Sequence, residues 1–269
     1  MKSSLRLCLP LVLSMPAWLP GLEIIAHRGA SHDAPENTLN SMKLGWEQGA
    51  DAVELDLWLS RDGKLAVFHD ADTKRFETPA RKIKELNLAE IQQLDVGAFK
   101  GAAFKGERVP TLDAILATVP SGRHIVLELK DGPEIIPEFV RVIRAAGLKA
   151  GQMRVISFQE DTLRASQKAL LELEHYFLKS YKADPQTGAL PTLEPLLAIC
   201  QEAGFAGLNL HSDWPVTAAF TATVKARHLK LLMWTVDDAA RARQLESAGV
   251  DAITTNRPGW LRGELGKKD

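Results

Sequence analysis

The stretch Glu54–Asp70 reads ELDLWLSRDGKLAVFHD. Two runs of alternating apolar and polar residues flank Asp62-Gly63, a dipeptide that favours the tight turn of a β-hairpin. A two-residue turn there predicts Arg61 opposite Lys64 and, further along, Asp56 opposite His69. Successive strand residues point to opposite faces. Glu54 and Asp56 therefore share one face, and Val53, Leu55 and Leu57 share the other. The return arm brings a histidine back to the level of two carboxylates.

Seven more short apolar runs surround this hairpin. With Ala52–Leu57, they are Glu23–Ala26, Ile125–Leu129, Arg154–Phe158, His175–Leu178, Gly207–Leu210, Leu231–Val236 and Ala252–Thr255. Helical patterns follow most of them, at Thr38–Gln48, Glu134–Ala146, Asp161–Leu171, Leu193–Ala203, Val216–Arg227 and Ala239–Ala248. Strand–helix alternation predicts a parallel sheet covered by helices. Eight units in 269 residues suit closure into a (β/α)8 TIM barrel, which typically takes about 250 residues. An open doubly wound sheet is the structural alternative. No Gly-x-Gly-x-x-Gly turn follows the first run, so dinucleotide binding is not supported. In the barrel reading the second strand overruns the rim and returns as the hairpin. Residues 71–110 then form a small charged insertion before a helix at Leu112–Thr118.

The composition is 45% apolar and 25% charged, as in ordinary globular proteins. Net charge is −1, which argues against nucleic acid as the main partner, since that binding needs a cationic footprint. Two cysteines, Cys8 and Cys200, support neither a disulfide framework nor a thiolate zinc site. Lys2 and Arg6 precede an apolar run from Leu7 to Leu19, too short for a membrane span of about 20 residues. The pattern predicts a signal peptide over residues 1–21 and a periplasmic or secreted protein, which leaves 22–269 as the single TIM-barrel domain. The alternative is a cytoplasmic protein whose short extension packs on the barrel floor.

In a TIM barrel the chemistry sits at the C-terminal ends of the strands. Four consecutive endings are polar: His27-Arg28-Gly29, Glu54 with Asp56, His69-Asp70, and Glu128-Leu129-Lys130. Glu128, placed two strand-neighbours from Glu54 and Asp56, adds a third carboxylate. An all-oxygen set suits Mg2+ or Ca2+ rather than zinc. The plainer role for these carboxylates is surface charge, or pairing with Arg28 and Lys130. His27 and His69 suit a general acid–base pair, since imidazole titrates near neutral pH. Taken singly, each has a plainer structural role. Arg28 and Lys130 are cations that an anionic substrate requires. Trp234 is either a wall for a small apolar group or part of the core. Asn37-Thr38 is read as a helix cap.

Read together, the motifs resemble the glycerophosphodiester phosphodiesterases. They are Ala26-His27-Arg28-Gly29, Ala34-Pro35-Glu36-Asn37-Thr38, Glu54-Leu55-Asp56, Asp62-Gly63, His69-Asp70, Glu128-Leu129-Lys130, Ser157-Phe158, Trp234-Thr235-Val236-Asp237 and Ile253-Thr254-Thr255-Asn256-Arg257-Pro258. The resemblance runs from about Ile24 to Pro258. It implies a distorted barrel with an insertion after His-Asp and a divalent cation on Glu54, Asp56 and Glu128, supported by Glu36 and Asn37. It also implies acid–base chemistry by His27 and His69, phosphate contacts from Arg28 and Lys130, and release of glycerol 3-phosphate and an alcohol. Two positions depart from the usual pattern: family members often carry Asp where Asn256 stands, and Asn where Asp237 stands. Two other functions remain open. One is a phospholipase D-like activity on lysophospholipids or sphingolipids, and the other is non-catalytic capture of glycerophosphodiesters.

Overall fold

The computed structural model describes residues 21–266. The apolar run expected to act in export lies outside them, as does Cys8. Eight parallel strands close on themselves: β1 (Glu23–Ala26), β2 (Ala52–Leu59), β4 (His124–Leu129), β5 (Met153–Ser157), β6 (Glu174–Lys179), β7 (Gly207–His211), β8 (Lys230–Trp234) and β9 (Ala252–Thr255). Closure is made by β1, which pairs with both β9 and β2. The ninth strand, β3 (Leu65–Val67), runs antiparallel to the end of β2. The architecture is the (β/α)8 TIM barrel.

The helices are α1 (Leu39–Glu47), α2 (Leu88–Ile91), α3 (Leu112–Leu116), α4 (Ile136–Ala145), α5 (Glu160–Ala169), α6 (Leu193–Ala203), α7 (Ala218–Lys225), α8 (Ala239–Ser247) and α9 (Pro258–Leu265). Among the described residues, no helix is long and apolar enough to cross a membrane. Side chains such as Val53, Leu55, Leu57, Leu127 and Val155 join the helices in the larger core. Full burial of each such side chain contributes about 1.5–3 kcal/mol. The opposite face lines the lumen, where Ile25, Ala52, Val126, Ile156, Tyr176, Leu178, Leu232 and Ala252 form a smaller core. Strand parity carries that face upward from Ile25 to His27, from Ala52 to Glu54 and Asp56, and from Val126 to Glu128. The lumen is therefore apolar at mid-height and polar at its mouth.

Two expectations need correction. In the hairpin, Leu57, Trp58 and Leu59 pair with Val67, Ala66 and Leu65. Asp56 therefore lies opposite Phe68, whose backbone N–H donates to the Asp56 carbonyl at 3.1 Å, and not opposite His69. The turn has three residues, Arg61 to Gly63, closed by bonds from Ser60 N–H to Lys64 O and from Gly63 N–H to Ser60 O. Gly63 at φ +69° takes the left-handed position that such loops require. Packing explains the register. Leu57, Leu59, Leu65 and Val67 all join the larger core, while Trp58, Ala66 and Phe68 all join a third cluster. A one-residue slip would exchange these faces. The second correction is to strand order. Glu128 lies on the strand next to β2, directly paired with Asp56, and not two strands away.

The third cluster is the core of the segment between the hairpin and α3. Ile83, Leu86, Ile91, Leu94, Val96 and Val109 pack there against Phe68 and Ala66. The hairpin tip is held to α2, with Asp62 accepting from the Leu88 N–H at 3.0 Å and Arg61 reaching Asn87 and Glu90. This small lobe continues the lumen face of β2 above the rim and walls one side of the mouth.

Candidate active site

The structure brings His27, Arg28, Glu54, His69, Glu128, Lys130 and Trp234 together around one cavity at the mouth, with Asp56, Glu36 and Asn37 beside them. Glu54, Asp56 and Glu128 are buried, and one oxygen from each lies within 4.8 Å of the others. Three anions this close, away from water, favour proton uptake. Burial and then repulsion by Asp56 push the Glu54 carboxyl well above its ordinary range. The same two causes push Glu128 up to about 7. At Asp56 burial acts the same way, but Lys130 and Arg28 outweigh it and hold this carboxyl well below its usual range. Among the described residues, Glu54 Oε1 is buried without a hydrogen-bond partner, and Asp56 Oδ1 has only the Lys130 ammonium, 3.2 Å away. An orphaned acceptor such as Glu54 Oε1 is costly unless a cation meets it. The triad could therefore hold a metal ion, and an all-oxygen donor set matches a hard divalent cation.

Two side-chain cations flank the triad. The Lys130 ammonium lies 2.8 Å from Glu128 Oε1 and 3.2 Å from Asp56 Oδ1. Arg28 Nε lies 3.2 Å from Asp56 Oδ2, and the Arg28 backbone N–H donates to Glu54 Oε2 at 2.9 Å. That N–H points inward because the chain turns sharply after β1, with Arg28 and Gly29 at φ +53° and +76°. A Cβ on Gly29 would sit 2.4 Å from the Ser41 carbonyl carbon, so the turn also needs the missing side chain.

Asn37 is more than a residue beside a cap. Thr38 caps α1 through a reciprocal pair with Ser41. Asn37, at φ +58°, donates Nδ2–H to Asp56 Oδ2 at 2.8 Å and accepts from the Asp56 N–H at 3.2 Å. Glu36 bridges two arginines, with its Oε1 3.1 Å from Arg28 Nη1 and 2.7 Å from Arg75 Nη2. Arg75 also holds Asp70, whose Oδ1 lies 2.8 Å from His69 Nδ1. The Trp58 indole N–H donates to the His69 carbonyl at 3.0 Å. That bond anchors the chain just beyond β3, so His69 reaches the mouth although it is not opposite Asp56.

His27 and His69 line one cavity with Arg28, Glu54, Glu128 and Lys130. Its far wall is Trp234, Phe158, Asn209 and Thr254. Trp234 stands edge-on to both Phe158 and His211, with ring centres 5.4 and 4.8 Å away. Its indole N–H donates to the Asn209 carbonyl at 3.2 Å. Trp234 both lines the cavity and packs against the lumen core, so the structure combines the two sequence readings of its place. Burial, then repulsion by Arg28, lowers His27 to about 4. Burial also lowers His69, against the pull of Asp56 and Asp70. Sequence reading did not assign roles to Arg75, Asn209 or Ser31. A lone arginine, asparagine or serine in a loop carries no motif, and only proximity marks them.

The glycerophosphoryl diester phosphodiesterase family matches residues 27–260. The chain belongs to this family. A glycerophosphodiester phosphodiesterase of Caldanaerobacter subterraneus subsp. tengcongensis is 34% identical over 244 residues, which span 88% of this chain and 95% of that relative. One from Bacillus subtilis is 28% identical over 254 residues, spanning 87% and 83%. Among solved structures, an Oleispira antarctica phosphodiesterase in complex with the product sn-glycerol-3-phosphate matches with a TM-score of 0.81 and 28% identity, over 91% of this chain and 97% of that one. Family membership makes the chain an enzyme, a phosphodiesterase acting on glycerophosphodiesters, and sets non-catalytic capture aside.

Proposed function

We propose that the protein hydrolyses glycerophosphodiesters to glycerol 3-phosphate and an alcohol, with His27 and His69 moving the protons and Glu54, Asp56 and Glu128 holding a divalent cation. The observation that carries this reading is the convergence of two histidines, Glu54, Glu128 and two side-chain cations on one cavity, with Asp56 completing the carboxylate cluster just behind its wall. When bound, Mg2+ or Ca2+ would supply Lewis-acid stabilisation of charge on phosphate oxygens and would orient the substrate.

The rest of the chemistry belongs to side chains. Arg28 and Lys130 contact the phosphate and offset its charge. One histidine takes the proton from the glycerol 2-hydroxyl as that oxygen attacks phosphorus. The other delivers a proton to the leaving alcohol as its P–O bond breaks. Water then opens the cyclic phosphate, with the histidines acting in reverse. Trp234 and Phe158 offer apolar contact to the carbon skeleton and limit access of water. The assay is glycerol 3-phosphate release from glycerophosphocholine, with added Mg2+, with added Ca2+, and with a chelator. Metal-dependent release is expected, and the ratio of the two rates identifies the preferred cation. Undiminished release in chelator would sink the metal assignment.

One observation favours the lysophospholipid reading as a second activity. Phe158, 41% exposed, also lines a wide groove beside the mouth, which continues to the half-exposed Leu190. Release of choline from lysophosphatidylcholine at a rate comparable to that from glycerophosphocholine would support it. Export is likewise a proposal, resting on Lys2, Arg6 and the apolar run after them. Amino-terminal sequencing of protein recovered from outside the cytoplasm tests it, and an intact Met1 there would count against cleavage.

A further inference from the structure

Behind His27 runs a chain of hydrogen bonds that leaves the cavity. Asp237 follows β8, and Asn256 follows β9. Asp237 Oδ1 accepts from the Asn256 backbone N–H at 2.7 Å and from the Thr255 hydroxyl at 2.8 Å. Its other oxygen accepts from the Asn256 side-chain amide at 2.5 Å. A carboxylate only accepts, so the amide nitrogen of Asn256 must face Asp237. The amide oxygen must then face away. There it accepts from the Ser31 hydroxyl at 2.8 Å and lies 2.7 Å from His27 Nδ1. An amide oxygen also only accepts, so Nδ1 is the nitrogen that carries the proton. Nε2 keeps the lone pair.

We propose that Asp237 and Asn256 are positioning residues that fix the tautomer of His27, so that Nε2 is the atom that exchanges a proton with the substrate. The inference rests on the reading of His27 as an acid–base residue. Its physical content is an orientation lock. Without Asp237, the two ends of the Asn256 amide could exchange places, and an N–H would then face Nδ1 and turn the imidazole to the other tautomer. The two histidines are also backed differently. His69 Nδ1 meets the carboxylate of Asp70, whereas His27 Nδ1 meets a neutral amide, with its carboxylate one residue further back. The charged groups acting on His27 are Arg28, Asp56 and Glu36. The Asn256 amide holds an imidazolium less strongly than a carboxylate would, so His27 rests as the neutral imidazole, ready to take a proton.

The experiment compares Asn256→Ala with the exchange variant Asp237→Asn/Asn256→Asp, both assayed on glycerophosphocholine with the preferred cation. Asn256→Ala is expected to lower kcat by at least about tenfold with KM little changed, because losing tautomer control acts on the chemical step. The exchange variant keeps one acid and one amide in the chain but puts the carboxylate on Nδ1. It is expected to recover much of the lost kcat and to move the acid limb of the kcat/KM profile up by about 1 pH unit or more. Nitrogen-15 NMR of the wild-type imidazole should show His27 Nδ1 protonated and Nε2 bare, which tests the idea even if Asn256→Ala folds poorly. Wild-type kcat in a folded Asn256→Ala, an unmoved acid limb in the exchange variant, or the opposite tautomer would each overturn the inference. His27→Ala separates the two ideas. If it stays active, the acid–base reading fails, and if it is dead while Asn256→Ala is unaffected, only the positioning role fails.

Discussion

His27 and His69 sit in one cavity but are held by different partners, an amide and a carboxylate. Replacing either by alanine should lower turnover by at least about 10²-fold, the usual scale for loss of a general acid or base. Near-full activity in one variant, measured under saturating substrate, would remove that residue from the mechanism. At the triad, Glu128→Gln keeps the shape and removes a charge. It should abolish cation-dependent activity, and the loss should not be recovered by raising either metal within the range that saturates the wild type. At this scale much was legible. Polar residues at consecutive strand ends named His27, Glu54, Asp56, His69, Glu128 and Lys130 before any fold was known. Asn256 and Asp237 were visible only as two separate departures from a family pattern. Their mutual hydrogen bonds, which make them one unit, required strands β8 and β9 to lie side by side.

The hairpin shows where local signals stop. Asp62-Gly63 marked the turn correctly, but a turn dipeptide does not distinguish a two-residue loop from a three-residue loop. The choice was made by the side chains on either face, Leu57 and Leu59 toward one core and Trp58 toward another. Gly63→Val should cost about 1–2 kcal/mol, because a β-branched residue is strained at positive φ. Urea unfolding measures it, and no loss would mean that the loop can rearrange. A second prediction belongs to the contact between β6 and α5. His175 Nε2 lies 2.8 Å from the Ser166 hydroxyl, and Nδ1 lies 3.1 Å from the Leu173 carbonyl. Burial holds this imidazole down to about 4 from an ordinary 6.5. The unfolded chain therefore takes up a proton that the folded chain refuses. The associated stability is fully present above pH 6.5 and falls as pH drops toward 4. At about 1.4 kcal/mol per pH unit, the ceiling is about 3 kcal/mol. His175→Gln should flatten the fall in unfolding free energy between pH 7 and 4, and an unchanged slope would assign it to other groups.

At the scale of the whole molecule, the barrel concentrates like charge in a buried place. A divalent cation held by the triad would relieve that repulsion, and only the folded chain assembles the three carboxylates. At one hundred times its Kd it should therefore add about 2.7 kcal/mol of stability. The midpoint of thermal unfolding should rise with Mg2+ or Ca2+, and Glu128→Gln should lose most of that rise. A flat midpoint in the wild type would mean that the triad does not take the ion. What the sequence determined by itself was the alternation of eight strand runs with helices and the polar residues at the strand ends, while closure of the sheet was decided by the pairing of β1 with both β9 and β2. The alternation follows from periodicity, because a strand shows its buried faces every second residue and a helix its stripe every three or four. Only the tertiary structure decided the hairpin register, the adjacency of Asp56 and Glu128, the support of His69 by Trp58, Asp70 and Arg75, and the line from Asp237 through Asn256 to His27. Each of these joins residues that are distant in sequence or compete for the same turn, and packing across elements decides them, not any local pattern.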